Sequence, residues 1–133
     1  MRIGVPKEIK VHEYRVGMVP ASVREAVHHG HQVIIESGAG AGVGFGDDAY
    51  IKAGAEIGSD AAAVFAAGDM VVKVKEPQAS EIPMLRENQV LFTYLHLAAE
   101  PEQTAGLVAS GAIAVAYETV TDDRGGLPLL APM

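Results

Sequence analysis

The chain has 133 residues, enough for one domain with a real core, and its 49% apolar and 20% charged content is ordinary for a soluble globular protein. Ten Lys and Arg against 17 Asp and Glu give a formal charge of -7, with no basic cluster and only 5% aromatics, which argues against nucleic acid as a partner. Cysteine is absent, excluding disulfides and thiolate chemistry and fitting a cytoplasmic location; no apolar signal region and no run near the ~20 residues of a membrane span is found.

Arg2-Ile-Gly-Val predicts a short first strand ended by Pro6, followed by a polar loop from Lys7 to Gly17 that carries Arg15. Pro20 opens a helix that Gly30 stops, and His31 to Glu36 is a second strand. A glycine-rich loop covers Ser37 to Gly46, after which Asp47 or Asp48 is expected to cap a short helix through Lys52. Ala55-Glu-Ile predicts a weak strand, and Ser59 or Asp60 caps an alanine-rich helix ended by Gly68. Met70 to Val74 is β-branched and predicts a strand, Ser80 to Glu87 a short helix with Pro83 in its first turn, and Gln89 to Leu95 a strand. Pro101 to Ser110 predicts a helix closed by Gly111, Ala112 to Tyr117 a last strand, and Asp122 to Gly126 a turn before an apolar, proline-broken tail from Leu127 to Met133. Strands alternating with helices predict an α/β fold, a three-layer, mostly parallel sheet with helices on both faces, Rossmann-like or flavodoxin-like.

In such a sheet, ligands bind beyond the carboxyl ends of the strands. Lys75 and His96 each follow an apolar strand and are expected at that edge. A partly desolvated lysine there can polarise a carbonyl oxygen, and an imidazole is suited to acid–base work near neutrality. Lys73, two residues before Lys75, reads instead as the lysine of a defended edge strand. Arg15, taken alone, reads as a surface ion pair with Glu13 or another acid; beside Lys75 and His96, its guanidinium fork could hold a carboxylate. Glu118 ends the last strand at the same edge, either orienting Lys75 or His96 or simply solvated. His28, His29 and His31 cluster at a helix end and His12 lies in a loop, all read as structural or solvated, and no histidine pair has zinc-site spacing. The glycine loop is not a dinucleotide fingerprint. Its one match, Gly44-Phe-Gly46-Asp-Asp-Ala49, follows the second strand and sets two carboxylates where a pyrophosphate would sit, so close packing or a mobile loop is expected. Together Arg15, Lys75, His96 and Glu118 suggest a site for a small carbonyl-containing carboxylate.

The stretches Met1 to Lys10 with Glu13-Tyr-Arg-Val-Gly17, Glu36-Ser-Gly-Ala-Gly40, Val72-Lys-Val-Lys-Glu-Pro77, Phe92-Thr-Tyr-Leu-His-Leu97, Ala116-Tyr-Glu-Thr119 and Pro128 to Met133 are a specific set. Together they resemble the N-terminal segment of the alanine dehydrogenase and pyridine nucleotide transhydrogenase family. The resemblance implies NAD-dependent interconversion of L-alanine with pyruvate and ammonia. It assigns Arg15 to the substrate carboxylate, Lys75 to the carbonyl oxygen and His96 to general acid–base work, with Tyr94 and Met133 lining the pocket. It also implies that residues 1–133 are the N-terminal part of a catalytic, substrate-binding domain. The separate NAD-binding domain, which would make most cofactor contacts, and a returning C-terminal segment would lie outside them. The resemblance further implies a homo-oligomer, as full-length members usually are, commonly a hexamer. The expected partners are therefore pyruvate or L-alanine and further copies of the chain, with no membrane and no metal, and this segment alone is expected to be inactive. Three alternatives stand beside this reading: the NAD-binding subunit of a transhydrogenase, a saccharopine- or lysine-forming dehydrogenase, and a non-catalytic folding or oligomerisation module.

Overall fold

The structure is a computed structural model and describes all 133 residues. The strands are β1 (Arg2–Val5), β2 (Gln32–Glu36), β3 (Glu56–Gly58), β4 (Met70–Val72), β5 (Val90–Thr93) and β6 (Ile113–Ala116). The helices are α1 (Pro20–His28), α2 (Asp47–Ala53), α3 (Ala61–Ala67) and α4 (Pro101–Ser110). The six strands form one sheet in the order β3-β2-β1-β4-β5-β6, and every pairing is parallel. Chain order therefore reverses between β1 and β4, where the chain leaves β3 at one edge and re-enters beside the centre. A crevice opens at the carboxyl ends of strands at such a point.

Strand alternation divides the core between two faces. Ile3 and Val5 of β1 and Val33 and Ile35 of β2 pack with Val23 of α1 and Tyr50 and Ala53 of α2. Val71 of β4 and Leu91 of β5 pack with Phe65 of α3 and Leu107 of α4, joined by Leu85 and Leu95. Val72, adjacent in sequence to Val71, joins the first group. This gives helices on both faces and three layers. Val5, Ile35, Val71 and Leu91 are wholly buried, each worth about 1.5–3 kcal/mol of removal from water.

Most helix boundaries follow the sequence signals. Pro20 stands at the start of α1, the Asp60 carboxylate accepts the Ala63 amide at 2.8 Å, and Gly111 closes α4 with φ of +71°. Four expectations are corrected. Only a single 3-10 turn, Ile82–Met84, forms where a helix over Ser80–Glu87 was expected. Pro83 lacks a donor there, Leu85 is extended, and Glu81 turns back to accept the Gln78 amide. Second, neither Asp47 nor Asp48 caps α2: the N-cap is Gly46, and Asp47 reaches back to the Ser37 hydroxyl at 2.6 Å and the Gly38 amide at 2.9 Å. Third, β4, β5 and β6 stop at Val72, Thr93 and Ala116, short of Val74, Leu95 and Tyr117. The fourth concerns Lys73. Its strand lies in the middle of the sheet, and the side chain is 1% exposed between Glu8 and Glu81. Strand order is not written in local sequence, so a buried paired lysine and an edge lysine look alike.

Candidate functional site

Three segments leave the carboxyl edge of the sheet next to one another: the loop after β1, the turn after β4 and the turn after β5. Beyond Lys73, whose amide donates to the Phe92 carbonyl at 3.1 Å, β4 has no strand neighbour to pair with. Side chains hold its continuation instead. The Glu8 carboxylate accepts the Val74 and Lys75 amides at 2.7 and 2.6 Å. The Val74 carbonyl accepts the Tyr117 hydroxyl at 2.5 Å, and the Lys75 carbonyl accepts the Thr93 hydroxyl at 2.8 Å. The Lys75 ammonium lies over the Tyr94 ring, 4.3 Å from its centroid, a contact worth about 0.5–2 kcal/mol depending on solvation.

His96 follows β5 in the left-handed region, with φ of +48°, an uncommon conformation for a side-chain-bearing residue. Glu118 sustains it. Its carboxylate accepts the His96 amide at 2.9 Å and the Leu95 amide at 3.0 Å, while the Leu95 carbonyl accepts from Gln103 at 3.0 Å. Glu118 thus grips the backbone of the turn rather than the imidazole. The ring stacks on Tyr94, with centroids 5.8 Å apart and planes 14° from parallel, and Nδ1 lies 3.3 Å from the Tyr94 hydroxyl. Tyr94 is the shared ledge that brings Lys75 and His96 together.

Arg15 reaches the same edge from the loop after β1. Two close approaches fix that loop. A Cβ on Gly17 would lie 2.6 Å from the Val72 carbonyl oxygen, and one on Gly42 would lie 2.7 Å from the Tyr14 carbonyl oxygen. The glycine-rich loop therefore packs against the arginine loop, and no other residue fits at either contact. The Nε–Nη2 edge of Arg15 faces Glu13, at 2.9 and 2.6 Å. This pair raises the arginine pKa and lowers the glutamate's, the hydrogen bond between them being the main cause in each case. The ion pair with Glu13 read from sequence is thus present, and it leaves Nη1 without a protein partner on a half-exposed side chain. Arg15 also borders a cavity of about 470 Å³ with Val74, Phe92, Tyr117, Leu129 and Met133 among its walls. Lys75, Tyr94 and His96 do not line that cavity. They are joined to it through Tyr117, whose ring centre is 6.3 Å from that of Tyr94 and 5.5 Å from that of Phe92.

Residues the sequence reading passed over now have places. Glu8 and Thr93 pin the Lys75 turn, and so does Tyr117, whose hydroxyl burial pushes up to about 12. An acid two residues after the strand-ending Pro6, at the exit of what proves to be a central strand, was the available signal for Glu8. Of the other histidines, His28 and His29 meet edge to face at 5.6 Å and His29 pairs with Glu25 at 3.0 Å, away from this edge.

The alanine dehydrogenase/PNT N-terminal domain family matches residues 4–133. The alanine dehydrogenase of Halomonas elongata is 54% identical over all 133 residues, which cover 36% of that protein, and that of Bacillus subtilis is 53% identical, with 35% of its length covered. A solved L-alanine dehydrogenase superposes with a TM-score of 0.96 at 52% identity, over 99% of this chain and 36% of that one. A transhydrogenase from Sinorhizobium meliloti superposes with a TM-score of 0.85 at 30% identity, over 93% of this chain and 37% of that one. The chain thus spans little more than a third of the length of these relatives, and over that span it belongs to the alanine dehydrogenase and pyridine nucleotide transhydrogenase family.

Proposed function

We propose that the chain is the substrate-binding, N-terminal part of the catalytic domain of an NAD-dependent L-alanine dehydrogenase, which interconverts L-alanine, NAD and water with pyruvate, ammonia and NADH. The observation that carries this reading is the ledge on which the Lys75 ammonium and the His96 imidazole share the Tyr94 ring. The substrate carboxylate binds the outward edge of Arg15, which Glu13 orients from the other side. Lys75 presents a compact positive charge to the carbonyl oxygen, stabilising negative charge as it develops there. When the Tyr94 hydroxyl donates to Nδ1 of His96, the proton of the neutral imidazole resides on Nε2, ready for exchange with substrate or water as the imino carbon is hydrated or formed. Met133 and Tyr117 close the apolar side of the site. A transhydrogenase reading leaves the Lys75–Tyr94–His96 ledge without a substrate to act on.

The chain's own residues do not fit the pyrophosphate of NAD. At its one glycine-rich turn into a helix, Asp47 and Asp48 occupy the first turn, and the Asp47 carboxylate already takes the Gly38 amide and Ser37 hydroxyl. On this reading the nicotinamide comes from a domain outside residues 1–133, in a homo-oligomeric, cytoplasmic enzyme that is hexameric at full length.

A backbone amide NMR titration with pyruvate tests the substrate half of the proposal. Saturable shifts near Arg15, Lys75 and His96 are expected in the unaltered chain and are lost in Arg15→Ala. A well-dispersed spectrum that ignores pyruvate in both would overturn it.

A further inference from the structure

We propose that Glu8 is a positioning residue for Lys75, acting through the backbone; the proposal rests on the substrate-site reading above but concerns geometry that exists without substrate. The side chain of Glu8 is 2% exposed, and its carboxylate faces protein groups. Each of its oxygens is committed. Oε1 takes the Val74 and Lys75 amides at 2.7 and 2.6 Å, and Oε2 meets the Lys73 ammonium, which lies 3.1 Å from Glu81 on its other side. The two amides are those that β4 leaves unpaired when it runs past its neighbours. A carboxylate serves both from across the gap where strand order reverses, because Glu8 follows β1 and β1 pairs directly with β4. Lys73 supplies the buried carboxylate with a counter-charge at its other oxygen, and charge-assisted bonds to N–H are the shorter, stronger ones. The Tyr117 and Thr93 hydroxyls hold the carbonyls of the same two residues. With both amides and both carbonyls fixed, the Cα–Cβ direction of Lys75 is fixed too, and its ammonium is delivered onto the Tyr94 ring. The bland account is that Glu8 merely neutralises a buried lysine. In that case removing both charges together would leave Lys75 where it is.

Two double variants separate these accounts. In Glu8→Gln/Lys73→Met the Glu8–Lys73 charge pair is gone but an amide oxygen remains for Val74 and Lys75; in Glu8→Ala/Lys73→Met that oxygen is gone as well, and both variants leave Glu81 equally without its lysine. The first readout is the ring-current shift that Tyr94 imposes on the ε-methylene protons of Lys75, measured by NMR without ligand. The second is pyruvate affinity. The Gln/Met chain is expected to keep the upfield Lys75 resonance. The Ala/Met chain is expected to lose it and to bind pyruvate at least about tenfold more weakly, the size of one lost charge-assisted contact. An Ala/Met chain that keeps the shifted Lys75 resonance overturns the proposal. Should that variant not fold, hydrogen exchange in the unaltered chain decides. Val74 and Lys75 amides protected to the level of the sheet support the role of Glu8, and amides exchanging like exposed loop overturn it. If pyruvate does not bind the unaltered chain at all, the functional reading fails, while the Lys75 resonance still decides the role of Glu8.

Discussion

The Lys73 ammonium is the most consequential single group in the interior. Its side chain is 1% exposed, and it stands between the carboxylates of Glu8 and Glu81, each 2% exposed. Removing one partner from a buried ion pair leaves an uncompensated charge, which costs about 3–5 kcal/mol. Lys73→Ala would strand two carboxylates, so urea unfolding is expected to show a loss at or above that range. An Ala variant within about 1 kcal/mol of the parent would contradict the pairing. Burial raises the Glu81 pKa above its ordinary 4.5, with Lys73 offsetting only part of the effect. The folded chain therefore keeps a proton that the unfolded chain releases at lower pH. Stability from this group is complete below 4.5 and declines as pH rises through the folded-state value. Glu13 and Asp47 have lowered pKa values, so their contributions are present above the ordinary values and are lost as pH falls. Thermal midpoints across pH are expected to fall on both sides, and Glu81→Gln should flatten the upper limb alone; an unchanged upper limb would refute the assignment. Lys75 and His96 were legible in the sequence because a charge that ends an apolar run is conspicuous. Glu8 and Lys73 were not, because a buried pair declares itself only when both ends are placed in space.

Elements were legible to the degree that their stops are chemical. Pro20, Asp60 and Gly111 each mark a helix end for a backbone reason, and all three hold. Strand ends were read too long, because a strand stops where its neighbour stops, and neighbours are not visible along the chain. The shortening matters. Lys75 and His96 sit in turns past the last ladder bonds, held by Glu8, Thr93, Tyr117 and Glu118 rather than by the sheet. The arginine loop depends on a bare backbone contact instead. Gly17→Ala would drive a Cβ to 2.6 Å from the Val72 carbonyl oxygen, against main chain that cannot rotate away. Denaturant unfolding is expected to show a loss of about 1–3 kcal/mol, typical of forced overpacking, with amide shifts spreading through Val16 to Arg15. A neutral substitution would mean that the loop is not seated on β4.

At the scale of the molecule, alternation of elements announced a parallel α/β sheet, and the sheet is entirely parallel. The strand order, with β1 and β4 side by side at the reversal, was not announced, because a chain of alternating units can be wound in either direction from its first strand. On the proposed function this segment holds substrate groups but lacks a cradle for the cofactor, and a site that cannot be closed over its substrate does not exclude water. The purified 133-residue chain is therefore expected to show no oxidation of NADH with pyruvate and ammonium, followed at the nicotinamide absorbance; sustained turnover would overturn the division of labour proposed here.

The holding of the two turns also sets an order of events during synthesis. A ribosome delivers Lys75 and His96 well before Tyr117 and Glu118, the residues that grip the Val74 carbonyl and the His96 amide. Until β6 and the turn after it are added, a nascent chain can own every side chain of the ledge and still lack two of the bonds that hold its turns. Lys75, Tyr94 and His96 are made first, and the segment that follows β6 brings the clasp that fixes the turns carrying them.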